Sequence, residues 1–255
     1  MTQAIIGISL WFAATVLSVL FVVLDLSKTR PAESTLRDKI QRLGWILNAL
    51  YMGPFCALVY RAVRTGPHSD GPIPLWKRAA ASTMHCAPGP VTGMLLAALI
   101  SNGLGISRGW ELVAEYFGGL VLGLLVFKAP AVRASFSGRY WGAVDGNWLS
   151  EVLTMNTMMA GQIPMMAILM RLDERAMQPG SVFFWATMSF SFIVGSLTTY
   201  PLMLWLLSTS GQGDHGRLAW PKLSTMMTIA ALAVGVGAAY SYGYFEVMGP
   251  MARHA

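Results

Sequence analysis

The sequence predicts an all-α membrane protein, a polytopic bundle of about seven transmembrane helices with proline kinks. Two observations carry this prediction. The 255-residue chain is 55% hydrophobic and only 12% charged, whereas soluble domains average about 25% charged residues. The apolar residues also gather in runs close to the roughly 20 residues that a helix needs to cross a bilayer, and the mean hydropathy is +0.52.

Seven apolar runs qualify as spans, and together they form a single integral membrane domain. Four of the runs, the second, third, fifth and sixth, contain proline, which removes a backbone donor and kinks or breaks a helix. The runs cover residues 4–24, 43–60, 80–104, 110–127, 149–170, 182–207 and 223–245.

The basic residues are scattered through short loops, which separates this chain from nucleic-acid-binding proteins. A net charge of +6 in this pattern fits lipid headgroups and topology signals. We therefore expect a lipid bilayer as partner, no nucleic acid, and a multi-pass location in a bacterial inner (cytoplasmic) membrane. Seven spans divide the 18 lysines and arginines equally between the two sides, but the five in the loop after the first span favour an N-terminus outside.

One histidine falls inside an apolar run, next to a predicted break in the helix. His85 is followed by Cys86, and Pro88 and Pro90 come directly after. These prolines cannot donate hydrogen bonds to the carbonyl groups four residues earlier. Free carbonyl groups inside a membrane are tolerated where they line a cavity or a site, so the sequence predicts a functional site at His85.

The fifth run is unusually rich in methionine, with Met155, Met158 and Met159 in one stretch. An imidazole, a thiol and thioethers are ligands that Cu(I) prefers. We therefore predict a soft-metal site with copper as cofactor, formed by His85, Cys86 and these three methionines. A haem held by histidine and methionine is a less favoured cofactor. The alternative is that the methionines fill the core between helices.

Three carboxylates in the apolar runs are candidates for a proton or cation relay. Glu111 and Glu115 lie four residues apart on one face of the fourth helix, and Glu151 shares a face of the fifth with Met155 and Met159. Charged side chains inside a membrane usually serve a function. For the first two, the alternative is a pair at the membrane interface.

These features leave three functions open. The first is copper binding, copper handling or copper-dependent redox chemistry inside the membrane. The second is a proton-coupled transporter of a small solute or ion, because broken helices surround midplane sites in transporters. The third is a non-catalytic subunit of a larger membrane complex or a homo-oligomer. The catalytic motifs of hydrolases, P-loop proteins and zinc proteases do not occur, so whether the chain is an enzyme stays undecided.

Residues 85–94 resemble the hallmark of a bacterial multi-span membrane family of unknown function. The hallmark reads His-Cys-x-x-Gly-Cys-x-x-Gly-Asp, and the chain has its first cysteine, its histidine and both glycines. Pro90 stands at the second cysteine and Met94 at the aspartate. Weaker similarities extend over 45–54, 149–150 and 195–201.

The resemblance implies two further exchanges of ligand type. An acid that the family carries on its fifth span falls near Met155, and an asparagine near Met203. If oxygen ligands are replaced by thioethers in this way, the resemblance implies a softer metal or the loss of metal binding. It implies no established activity.

Overall fold

The predicted all-α class is confirmed by a computed structural model that describes residues 2–28, 35–64, 73–209 and 221–241. Within these residues the chain consists of helices joined by turns, without a strand. Six stretches are long and apolar enough to cross a membrane, compared with the seven expected: Gln3–Lys28, Leu75–Gly103, Gly109–Phe136, Tyr140–Leu172, Val182–Thr209 and Pro221–Ser241.

The helices follow one another with short connections. Short 3-10 turns cover Arg133–Phe136 and Glu174–Met177, and a π-helical segment covers Leu122–Lys128. The α-helices are α1 (Thr2–Lys28), α2 (Leu36–Met52), α3 (Pro54–Arg64), α4 (Leu75–Cys86), α5 (Pro88–Gly103), α6 (Arg108–Val121), α7 (Ala129–Val132), α8 (Tyr140–Leu172), α9 (Val182–Thr209) and α10 (Pro221–Ser241).

A capping box starts α2. The Thr35 hydroxyl accepts a hydrogen bond from the Asp38 backbone N–H at 3.2 Å, while the Asp38 carboxylate accepts from the Thr35 hydroxyl at 2.7 Å and the Thr35 N–H at 3.0 Å. These hydrogen bonds satisfy backbone donors that a helix start leaves free. They also hold the pKa of Asp38 below its ordinary value.

The predicted second span, residues 43–60, is not one helix but a hairpin that turns back at Gly53. Gly53 has a φ of 54°, which glycine adopts without strain. Its Cα lies so close to the middle of α1 that a Cβ would collide with the Thr15 hydroxyl. The two arms pack on each other, with the rings of Trp45 and Tyr60 5.0 Å apart.

Both ends of this hairpin lie at the same end of α1. Arg42 on α2 donates to the Leu26 carbonyl at 3.1 Å. Tyr60 and Arg64 on α3 donate to the Asp25 carboxylate at 2.7 and 2.6 Å. The chain therefore returns to the side from which α2 started, and this hairpin, residues 36–64, does not add a crossing.

Once the hairpin is recognised, the basic residues are strongly asymmetric. Helices α1, α3, α7 and α9 all end on one side of the bundle, which we call the basic side. Residues 2 and 241 lie on the other side, which we call the terminal side. Positions at the terminal side are Arg108, Arg171 and Arg175. Positions at the basic side are Lys28, Arg37, Lys39, Arg42, Arg61, Arg64, Lys77, Arg78, Arg133, Arg139 and Lys222.

The predicted helix break after His85 is present as a bend, and a side chain from the hairpin compensates for it. α4 ends at Cys86 and α5 begins at Pro88, while Ala87 between them keeps helical φ and ψ and donates to the Thr83 carbonyl, so the helix bends here without unwinding. Pro88 cannot donate to the Met84 carbonyl, and the Asn48 side-chain amide donates to that carbonyl instead. Pro164 and Pro201, by contrast, lie inside the continuous helices α8 and α9.

The interval 128–148, which the sequence suggested as a loop, is largely helical. The π-helical segment leads through α7 into a tight turn at Ser137 and Gly138, both with positive φ. α8 then begins at Tyr140, whose hydroxyl donates to the Leu125 carbonyl at 2.7 Å. That carbonyl would otherwise lack a donor because residue 130 is proline.

Small residues let neighbouring helices approach closely around this region. A Cβ on Gly89 would lie 2.7 Å from the Gly123 Cα, and one on Gly93 would overlap the Gly118 carbonyl. On α10, a Cβ on Gly235 would lie 2.6 Å from the Ala160 carbonyl oxygen of α8. These glycines therefore pack helices within the chain.

Candidate functional site

The break at His85 opens onto a cavity of about 290 Å³ on the basic side. Its mouth lies between the first turn of α2, which contributes the exposed Arg37, and the exposed Ser135. The inner wall comes from four elements, with His85 and Cys86 from α4, Gly123 and Lys128 from the π-helical segment, Asn147, Ser150 and Glu151 from α8, and Met203 from α9.

A buried ion pair forms one wall of the cavity. Lys128 Nζ lies 2.9 Å from Glu151 Oε2 and donates to Ser150 Oγ at 2.8 Å. Ser150 in turn donates to the Asn147 carbonyl at 2.9 Å. The side chains are 17% and 1% exposed, so the two charges interact with little screening by water.

The second oxygen of Glu151 has no hydrogen-bond partner. Glu151 Oε1 is fully buried and lies against Gly123, where a Cβ would collide with it. π-helical segments occur frequently at functional sites, and this one brings Lys128 and Gly123 to the same carboxylate. A carboxylate with one unpartnered buried oxygen is suited to take up a proton or a cation there.

The predicted pair His85 and Cys86 does line the cavity, and both residues are half-buried. Met203 is the thioether on the same wall, and Ser82 Oγ donates to its sulfur at 3.6 Å. The cavity therefore contains one imidazole, one thiol and one thioether. Within the part of the chain described, no three His, Cys, Asp or Glu residues form a group that could hold a metal ion.

The methionines predicted as ligands do not line this cavity. Met155 is fully buried, and its methyl group faces Gly119 of α6, while Met158 faces Gly195 of α9. Met159 belongs to the same buried apolar cluster. None of the three methionines is among the residues that line the cavity. They pack the core between α8 and its neighbours.

The predicted relay of carboxylates is divided between two regions. Glu151 lies in the cavity wall, on the basic side. Glu111 and Glu115 are buried on the first turns of α6, which begins at the terminal side. A helix rises 1.5 Å per residue, so Glu115 lies about 12 Å along the axis from Gly123, and the structure does not bring the three carboxylates together.

Lys128 and Arg37 are the functional candidates that the sequence reasoning missed. The fourth predicted span ends at residue 127, which places Lys128 in the loop that follows. Its signal was present, since apolar residues continue on both sides of it from 119 to 132. Arg37 is brought to the cavity because α2 packs against α4 and α7, a contact between distant segments that no local pattern indicates.

Comparison with known proteins gives one match. The model of a family described as "Domain of unknown function (DUF4396)" covers residues 75–212. This range holds every residue of the cavity wall except those that α2 supplies. No curated protein and no solved structure matches the chain.

Proposed function

Because the chain belongs to the DUF4396 family, described only as a domain of unknown function, we propose a function from its cavity. The protein would be a multi-pass membrane protein that binds a small polar solute and couples its movement to that of protons. The observation that carries the proposal is the Lys128–Glu151 ion pair in the wall of a cavity that is open at one end. Ionisable side chains are costly inside a membrane and commonly mark a substrate or proton pathway.

Several features of the wall support a transporter. The helix bends at Ala87 beside the cavity, where Pro88 cannot donate to the Met84 carbonyl, and proline-interrupted spans mark binding sites in transporters. The unpartnered Glu151 Oε1 supports a proton-accepting role for this carboxylate. His85, which also lines the cavity, is a second group that can exchange protons.

The asymmetry of basic residues supports an orientation. Cytoplasmic loops of membrane proteins carry an excess of lysine and arginine. The basic side, with the mouth of the cavity, would then face the cytoplasm of a bacterial inner membrane, and residues 2 and 241 would both lie outside.

Reconstituted protein tests the transport proposal. Liposomes containing a pH-sensitive dye would receive methanesulfonate, sodium, glycine or urea, which represent an anion, a cation, a zwitterion and a neutral solute. We expect one of them to move protons in the wild type, and Glu151→Gln to abolish the effect. Lys39→Gln, an exposed position outside the cavity wall, is the matched control. Absence of proton movement with all four solutes, or full activity of Glu151→Gln, would contradict the proposal.

A soft-metal site is the second candidate, because His85, Cys86 and Met203 share the cavity. Nitrogen and sulfur donors suit Cu(I), so the donor set fits copper in type. Arg37 and Lys128 oppose it, since both add positive charge beside a cation. This positive charge favours transport of a solute over copper binding.

Competition with a Cu(I) chelator tests the second candidate. If the cavity holds copper, His85→Asn, Cys86→Ser and Met203→Leu each weaken retention of one Cu(I) per chain. Met158→Leu, a core methionine away from the cavity, leaves retention unchanged. Equal retention in Met203→Leu and wild type would exclude this set of ligands.

A further inference from the structure

The charges around the cavity identify a class of solute, an inference that rests on the proposed transport function. We propose that the cavity binds a small monovalent anion at the Lys128 ammonium group, and that one proton binds Glu151 with each anion. The solute would thus be carried together with a proton as an electrically neutral pair.

The charged groups of the described wall have an excess of positive charge. α2 contributes Arg37 at the mouth, and the π-helical segment contributes Lys128 at the inner end. Glu151 from α8 is the carboxylate among them. α4 contributes His85 and Cys86, which add no charge to the wall as a neutral imidazole and a thiol. α9 contributes Met203 and leucines. With two cations and one carboxylate, the wall attracts an anion into this low-dielectric space more strongly than it attracts a cation.

In the state described, Glu151 itself is the anion that Lys128 binds. Its Oε2 accepts a hydrogen bond from the ammonium group at 2.9 Å, and Ser150 accepts a second at 2.8 Å. An ammonium group has three donors, so it can hold one acceptor in the cavity while it donates to Ser150. An incoming anion must therefore compete with the Glu151 carboxylate or wait until that carboxylate is neutral.

Protonation of Glu151 removes this competition. A proton can add to Oε1 without displacing a hydrogen bond, because Oε1 has no partner. The neutral acid then leaves the Lys128 ammonium without a counter-charge, which is unfavourable in a buried site. Binding of an external anion restores neutrality. One proton and one negative charge enter together, so the site has the same net charge before and after.

The size of the cavity limits the anion. Its volume is about 290 Å³, and a water molecule occupies about 30 Å³ in the liquid. The space therefore admits an anion of a few non-hydrogen atoms with part of its hydration shell. The hydroxyl groups of Ser82 and Ser150 in the wall supply donors or acceptors for such a solute.

Calorimetric titration of the purified full chain with methanesulfonate tests this inference. This anion remains ionised at every pH used, so changes in its binding report on the protein. We expect wild-type binding to weaken as the pH rises, by up to about tenfold per pH unit, because each anion binds together with one proton. Glu151→Gln should bind with little dependence on pH, and Lys128→Met should lose binding. Lys39→Gln is the control and should match the wild type.

Three results would overturn the inference. These are wild-type binding that is independent of pH, binding retained in Lys128→Met, and pH dependence that survives in Glu151→Gln but disappears in His85→Asn. The last result would assign the proton to His85. If methanesulfonate does not bind while sodium, glycine or urea moves protons in liposomes, the anion inference fails and the transport proposal stands. If no solute moves protons, the transport proposal itself fails.

Discussion

Lys128 Nζ lies 2.9 Å from Glu151 Oε2, and the two residues come from helices that meet at the cavity wall. Lys128 is the last residue of the π-helical segment, and Glu151 lies in the first half of α8, 23 residues later in the chain. The pair is almost fully enclosed, since its side chains are 17% and 1% exposed.

Removing one partner of this pair should destabilise the protein more than removing both. Lys128→Met leaves a buried carboxylate without its counter-ion, a change that costs about 3–5 kcal/mol in soluble proteins. Lys128→Met combined with Glu151→Gln leaves no charge, so we expect it to recover much of that loss. Thermal unfolding in detergent measures both. Arg64→Met, which breaks the half-exposed pair with Asp25, should cost at most about 1 kcal/mol. Equal losses in the single and double variants would contradict this account.

Asn48 should stabilise the break beside His85. Asn48→Ala removes the donor to the Met84 carbonyl and leaves a buried acceptor unpartnered, which costs about 1–3 kcal/mol. The control is Ser208→Ala, an exposed hydroxyl that bonds only within its own helix. Unfolding in detergent distinguishes the two. If Asn48→Ala is as stable as Ser208→Ala, another group satisfies the Met84 carbonyl.

Gly93 should be required for the contact between α5 and α6. A Cβ there would overlap the Gly118 carbonyl, and overpacking of this kind costs about 1–3 kcal/mol. Gly7→Ala on α1 meets no atom within 4 Å and should be neutral or stabilising by up to about 1 kcal/mol, because alanine favours helix. The stability difference between the two variants measures the contact. Identical unfolding midpoints would show that the helices can separate without cost.

The hairpin at Gly53 predicts which positions share a side of the membrane. In a chain whose cysteines are replaced by serine, single cysteines at Lys39, Arg61 and Gln178 would be labelled in intact cells with an impermeant maleimide. We expect labelling at Gln178 only, because the first two lie on the basic side. A span through 43–60 would instead put Lys39 and Arg61 on opposite sides, so labelling at just one of these two would contradict the hairpin.

The sequence predicted the parts of this structure that depend on local chemistry. Runs of about 20 apolar residues correspond to long helices, and the Pro88–Pro90 segment corresponds to a helix break at His85. The soft side chains His85 and Cys86 were predicted at a site, and both line the cavity.

What the sequence did not reveal depends on contacts between distant segments. The return of α2–α3 follows from a single glycine fitting against Thr15 of α1, and composition cannot distinguish this from a crossing. The equal division of basic residues was a consequence of that missing turn. Likewise, Met155 and Met158 look like ligands in the sequence, and only the neighbouring glycines of α6 and α9 show that they pack as core.

The central claim, an open cavity at the Lys128–Glu151 pair that faces the side rich in basic residues, is tested most directly by the reactivity of Cys86. The measurement is modification by a small impermeant methanethiosulfonate in inside-out and right-side-out vesicles of a Cys56→Ser chain. We expect Cys86 to react in inside-out vesicles and to be protected in right-side-out ones. Reaction only in right-side-out vesicles, or reaction only after denaturation, would contradict it.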